Sequence, residues 1–187
     1  AALSKTCGAC HVGVERTYAA SVHGQLPLTA GGKTAVCTDC HTAHDIERPG
    51  SAHFKQTIDQ KCGQCHEERL ANYRETYHGK AMLLGKANTA TDVAACYDCH
   101  GHHAIQKHTD PDSQLSAGNI VQTCARCHEG VNASFTQYQP HADHTDGENY
   151  PVLHWAYLAM TSRLVSVFAF FGVHTLFWVT RFTLTYL

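Results

Sequence analysis

Residues 96–105 read CYDCHGHHAI and residues 37–46 read CTDCHTAHDI, and the two align without a gap. Each opens with CxxCH, in which the second cysteine lies three positions after the first and the histidine four. On a helical turn those positions face one way, so two thiols and one imidazole can reach a single flat ring. That arrangement is the signature of covalent c-type haem attachment, with thioether bonds to the porphyrin edge and the histidine on one face of the iron.

Working outward from these stretches, the motif occurs five times: CGACH at Cys7, Cys10 and His11; CTDCH at Cys37, Cys40 and His41; CGQCH at Cys62, Cys65 and His66; CYDCH at Cys96, Cys99 and His100; CARCH at Cys124, Cys127 and His128. All ten cysteines of the chain are used. A disulfide scaffold gives no reason for a histidine after every second cysteine, and zinc ribbons do not require a histidine directly behind each CxxC pair. Five covalently attached haem c groups are therefore expected, with the five motif histidines as proximal iron ligands.

Composition agrees. The chain has 187 residues, 16 histidines and a formal net charge of -2, which haem propionates would make more negative. Nucleic acid is excluded as a natural partner. About 30 residues per haem through Tyr150 are too few to build a side-chain core around each cofactor, so the haems themselves are expected to form the core. The apoprotein should then be largely unfolded. Haem attachment of this type follows export, which places the haem domain on the periplasmic side of the cytoplasmic membrane. The start at Ala1 and Ala2 suits a mature chain trimmed after small residues.

The remaining histidines fall into repeats. CGACHVGVERTYAASVHG (7–24) and CGQCHEERLANYRETYHG (62–79) each place a tyrosine and then a histidine after the motif. His23 stands as far beyond His11 as His78 stands beyond His66, and both are followed by glycine. The intervals lack proline and read as about three helical turns. A third copy, CARCHEGVNASFTQYQPHAD, puts His141 one position further beyond His128, with Pro140 before it and Ala142 in the glycine's place; His144 is a rival there. In the short units, His44 matches His103 and Ile46 matches Ile105, while His102 has no counterpart. Long and short units alternate along the chain.

His23, His44, His78, His103 and His141 thus give five distal candidates for five irons. His53, His102 and His108 read instead as exposed, propionate-contacting or supporting residues. A histidine three positions past the proximal one cannot wrap round the porphyrin to the opposite face of the same iron. His44 and His103 must therefore serve neighbouring haems, which draws the cofactors into a row. Bis-imidazole ligation leaves no open iron site and favours electron transfer over substrate chemistry.

The CxxCH, YxxxxHG and CHxxHxI elements over residues 4–145 resemble the multihaem c-type cytochromes with doubled CxxCH units, a superfamily of small electron-transfer cytochromes and larger multihaem reductases. The resemblance implies a mainly α fold organised by haem packing, with short helices, long loops and almost no sheet.

After HADHTDGENYP the composition changes. From Val152 to Leu187 there is no acidic residue or lysine, and the run LVSVFAFFGVHTLFWVT separates Arg163 from Arg181. With the preceding LHWAYLAMTS the run is long enough for one transmembrane helix. The expected domains are a pentahaem domain over 1–148 and a membrane anchor over 149–187. Trp155 and Tyr157 suit the outer interface, and Trp178, Arg181 and Tyr186 the inner one. His154 falls near the outer surface and His174 within the apolar run. They are about 30 Å apart along a helix and rotated by roughly 200°, so they cannot act on one small site. His174 is a candidate ligand to a b-type haem shared with partner helices, a quinone contact, or a neutral hydrogen-bonding group. FAFFGVHTLFW resembles the first membrane helix of bacterial proteins that join a multihaem domain to a cytochrome b module like the formate dehydrogenase membrane subunit. That resemblance implies either an integral cytochrome b or quinone-reactive partner or further membrane helices of the same chain beyond Leu187. Single-helix quinol dehydrogenases carry their anchor at the N-terminus, so this chain departs from them.

The function expected is electron transfer between a membrane quinone or cytochrome b partner and a periplasmic redox partner, with no catalytic turnover by the chain itself. The alternative is a multihaem reductase of a small oxyanion with one open haem site, for which the imperfect third long unit leaves room. A filament-forming structural cytochrome is disfavoured by the apolar segment.

Overall fold

The structure, a computed structural model, describes residues 2–26, 34–85 and 93–186, with the side chains of Ala2 and Tyr186 left out. The loops expected after His23 and His78, and the interface role expected of Tyr186, fall largely outside these. The described residues are mainly helical and contain no strand. The chain divides into two compact units, Ala1–His141 and Ala142–Leu187.

In the first unit the helices are α1 (Ala2–Gly8), α2 (Val12–Ala19), α3 (Val22–Gln25), α4 (Cys37–His41), α5 (Ala52–Gly63), α6 (Glu67–Glu75), α7 (Tyr77–Leu84), α8 (Cys96–His100) and α9 (Ile120–Ala125), followed by a 3-10 turn at Phe135–Gln137. The two kinds of unit seen in the sequence differ in where the motif sits. In the short units CxxCH is itself a one-turn helix, α4 or α8. In each, an aspartate at the third helical position caps the start: Asp39 accepts from the Val36 N–H at 2.7 Å and Asp98 from the Ala95 N–H at 2.8 Å. In the long units the motif lies across the end of α1, α5 or α9. There the histidine N–H donates to the first cysteine's carbonyl, at 2.9 Å for His11, 3.0 Å for His66 and 3.0 Å for His128.

The long units are not the continuous helices that their spacing suggests. Each of the first two breaks just before the distal histidine. Ser21 and Thr76 take extended backbone and cap the next helix, accepting from the Gly24 and Gly79 N–H groups at 3.2 and 3.1 Å. Their hydroxyls donate back to the Tyr18 and Tyr73 carbonyls at 2.7 and 2.6 Å. A serine or threonine offers the backbone a bond that competes with the helix, so the helix restarts in a new direction. The glycines after His23 and His78 are explained by the same corner. A Cβ at either would lie 2.1 Å from the Tyr18 or Tyr73 carbonyl oxygen.

Side-chain packing in this unit is sparse. The cluster of buried residues is Phe54, Ile58, Met82 and Ala95, with Cys40, Cys62, Val93 and Tyr97 packed against it. That is a small core for so long a chain. Asp59, also buried, has the Arg74 guanidinium 3.9 Å away.

The second unit is a capped helix. Asp146 accepts from the Glu148 and Asn149 N–H groups at 3.1 and 3.0 Å, Pro151 occupies the first helical position, where its missing N–H costs nothing, and α10 runs from Pro151 to Tyr186. His154 Nδ1 lies 3.0 Å from the His144 carbonyl, and the His144 ring packs on Tyr157 with centroids 4.1 Å apart. Beyond this cap α10 is apolar and exposed on every face, with a mean hydropathy of 1.5 over its most apolar window. It is long and apolar enough to cross a membrane.

Gly79→Ala should destabilise the holoprotein by about 1–3 kcal/mol, the range for overpacking a tight site. The expected result is a lower midpoint in thermal unfolding followed by circular dichroism, with Gly50→Ala, where an added Cβ meets nothing within 4 Å, leaving it nearly unchanged.

Candidate haem-binding site

The corners at Ser21 and Thr76 aim His23 and His78 away from their own motifs. His23 faces His66, with ring centroids 6.3 Å apart, and His78 faces His128 at 5.9 Å. The short unit acts similarly. The chain leaves α8 through Gly101 at φ 78°, a left-handed conformation that glycine adopts freely, and brings His103 to 6.1 Å from His41. His141 comes to 6.1 Å from His100.

Four times, then, a motif histidine of one unit meets a second histidine of another unit at nearly one spacing. Metal–imidazole bonds are about 2.0–2.1 Å long, so two rings on opposite sides of one metal have centroids roughly 6 Å apart. These pairs fit a six-coordinate iron. Burial, the largest influence on each, holds the pKa of His23, His41, His78, His100, His103 and His141 below the usual histidine value, so the neutral ring with a free lone pair is favoured.

His141 gives the most specific test of fit. Its carbonyl accepts from Asn72 Nδ2 at 3.1 Å, whereas its buried Nδ1 has no hydrogen-bond partner. A buried nitrogen without a partner is costly unless something absent from the polypeptide satisfies it, and a metal does. The helix anticipated for the third long unit does not form. Only the 3-10 turn at Phe135–Gln137 precedes Pro140, and Phe135, at the position held by Tyr18 and Tyr73, packs its ring 5.0 Å from His128.

The other histidines are placed differently. Among the described residues, neither His11 nor His44 has a ring partner like these. His102 stands edge-on to the His103 ring at 4.9 Å, where it can support it. His53 pairs with Glu47 at 2.8 Å. His174 is exposed on α10.

None of the ten cysteines is in a disulfide. Helix α1 packs on α4, α4 on α5 and α5 on α8, so consecutive motifs lie against one another, and Cys99 is within electrostatic reach of Cys124 and Cys127 in the fifth. Burial pushes the Cys40 thiol up to about 11. Lys61 Nζ donates to the Cys40 carbonyl at 2.8 Å, and Arg126 donates to the Asp98 carbonyl, so backbone ties reinforce two of these junctions.

The role of the repeated tyrosine is not visible in the spacing. Tyr18 Oη donates to the Ala35 carbonyl at 2.9 Å and Tyr73 Oη to the Ala94 carbonyl at 2.8 Å. Both acceptors lie two positions before the next motif, so each tyrosine ties a long unit to the short unit behind it in the chain. The signal was present in the sequence as a tyrosine at one spacing in two copies and a phenylalanine in the third.

Residues 26–71, which hold the second and third motifs, match the family described as the doubled CXXCH motif. No curated protein and no solved structure matches the chain. The chain carries the haem-binding motifs of a c-type cytochrome, and the doubled motif points to a multihaem cytochrome of electron transfer.

Tyr73→Phe should cost about 1 kcal/mol, the net worth of one hydrogen bond. Chemical denaturation of the holoprotein is expected to show the loss, with a smaller one for Tyr18→Phe, which is less buried.

Proposed function

We propose that the chain is a membrane-anchored pentahaem c-type cytochrome that passes electrons between a membrane quinone or cytochrome b partner and a redox partner on the outer side of the cytoplasmic membrane. The observation that carries the reading is the set of four histidine pairs at 5.9–6.3 Å, each joining a motif histidine to one from another unit. Bound haem c supplies one-electron redox chemistry at iron.

The residues of the chain have three tasks in this scheme. The ten cysteines fix the porphyrin edges. The paired imidazoles would hold the irons of four motifs, which would keep small ligands off those four and disfavour substrate turnover there. The packing of α1 on α4, α4 on α5 and α5 on α8, with Arg126 donating to the Asp98 carbonyl, draws the attachment points together in the order of the chain, which suits single-file transfer. The sparse side-chain core is what a fold organised by its cofactors would have.

Two features support the anchor. A helix apolar on every face belongs in the core of a large protein or in a membrane, and α10 is exposed along its length. His174 would then lie within the bilayer, available to a b-type haem or quinone of a partner subunit. The reductase reading needs an open iron position; the imperfect third long unit contributes His141 to the pair with His100, so the room for one is at the first motif, where His11 has no ring partner among the described residues.

Low-temperature electron paramagnetic resonance of the oxidised, detergent-purified holoprotein, integrated against total haem, should show five haems per chain, all low-spin, and the reduced protein should not bind carbon monoxide. One high-spin haem in five would favour the reductase reading. The protein should also stay with membranes through an alkaline carbonate wash and be released by detergent; release by carbonate would count against the anchor.

A further inference from the structure

The paired histidines follow a rule of translation along the repeat. His23, in the first unit, meets the motif of the third; His78, in the third, meets the motif of the fifth; His103, in the fourth, meets the motif of the second. Long units reach two units forward and short units two units back.

At the C-terminal end the rule leaves two remainders. His141, in the fifth unit, would need a seventh motif. His100, the motif histidine of the fourth, would need a partner from a sixth unit. The structure joins the two remainders to each other at 6.1 Å. The end of the repeat is closed by pairing what it leaves over.

The N-terminal end has the same pair of remainders. His44, in the second unit, would need a motif two units back, and His11 would need a histidine from a long unit two before its own. Their surroundings agree with an unfinished junction. His103 is held where Val22 N–H donates to the Ile105 carbonyl at 2.9 Å, across the first and fourth units. The residue equivalent to Ile105 is Ile46, which is 70% exposed. The local conformation that presents the histidine is nonetheless the same. Thr42 takes φ 63° where Gly101 takes 78°, held by its hydroxyl on the His41 and Asp45 carbonyls. The first and second motifs also lie together, with helix α1 packed on α4.

We infer that His44 is the sixth ligand of the haem carried by Cys7, Cys10 and His11 of the same chain, closing the N-terminal end of the repeat as His141 closes the other. The inference rests on the five-haem reading. It also makes this haem the one whose second ligand sits on an exposed turn, so its distal side is the easiest to open.

The test is the spin state of the full-length holoprotein carrying His44→Gly. With wild-type protein all low-spin, the variant should convert one haem in five to high-spin, bind one carbon monoxide when reduced, and return to low-spin with added imidazole. Combining it with His103→Gly should give two high-spin haems, because the two histidines serve different irons. If His44→Gly fails to retain five haems, His44→Met serves instead: one haem should rise in potential, as methionine–histidine ligation does, with the other four unmoved. An unchanged spin state or potential overturns the inference while leaving the proposed function intact. A wild-type haem that is low-spin only in dimers, judged by light scattering in detergent, overturns it too, because the ligand would then come from a second copy. A wild-type protein without five haems overturns the proposed function itself.

Discussion

Two imidazoles must approach one iron from opposite faces, and a chain that attaches its porphyrin through CxxCH can deliver only one of them from that motif. Under the proposed function every other feature of the first unit depends on this constraint. The second imidazole has to come from elsewhere in the chain, so the units interleave instead of folding one by one. His23 and His103 hold the first and fourth units to the third and second. Direct polypeptide ties between the first and fourth units, from Val22 N–H to the Ile105 carbonyl and from Gln106 Nε2 to the Ala20 carbonyl, sit beside them. Interleaving makes each haem a crosslink between distant parts of the sequence, and folding should then be strongly coupled to cofactor attachment.

The small core is the counterpart of that arrangement. Phe54, Ile58, Met82 and Ala95 cluster near the junction of the second, third and fourth motifs, where Cys40, Cys62 and Tyr97 also pack. What the polypeptide supplies elsewhere is direction: corners at Ser21 and Thr76, aspartate caps at Asp39 and Asp98, and tyrosine ties from Tyr18 and Tyr73. Each of these is a short-range hydrogen bond worth on the order of 1 kcal/mol. Together they orient imidazoles that the cofactor would then lock.

Much of this was legible in the sequence, and the limits of legibility have physical causes. The motifs and the candidate distal histidines are marked by spacing, since attachment chemistry fixes the distances between cysteine, cysteine and histidine. The apolar run that becomes α10 is marked by composition. Which histidine meets which motif is not marked at all, because pairing is a tertiary relation between segments as distant in the chain as those of His41 and His103. The continuous helices expected before His23 and His78 are broken because a single hydroxyl at Ser21 or Thr76 outweighs a favourable run of helix formers. His144, the rival to His141, could be separated from it only by seeing that its ring lies on Tyr157 in the second unit. In the third long unit no helix runs through Pro140, yet His141 still reaches a motif histidine. His141 is held there by Asn72, which donates to its carbonyl, and not by a helix.

Under the proposed function the anchor obeys a different arithmetic. At 36 residues α10 is about 54 Å long, whereas the hydrocarbon core of a bilayer is about 30 Å thick. Arg163 and Arg181 are separated by roughly 27 Å along the helix axis, which sets the two charges near opposite boundaries of that core. The first turns of the helix, from Pro151 to Ser162, then lie outside the hydrocarbon. This explains why they hold Trp155 and Tyr157 and why His154 can be tied to a backbone carbonyl within the cap. His174 falls about three helical turns from Arg163 and about two from Arg181, too deep to reach either interface by snorkelling. A neutral imidazole at that depth is costly unless it meets a partner. Under the proposed function that partner is a b-type haem, a quinone or a polar group on a neighbouring membrane helix.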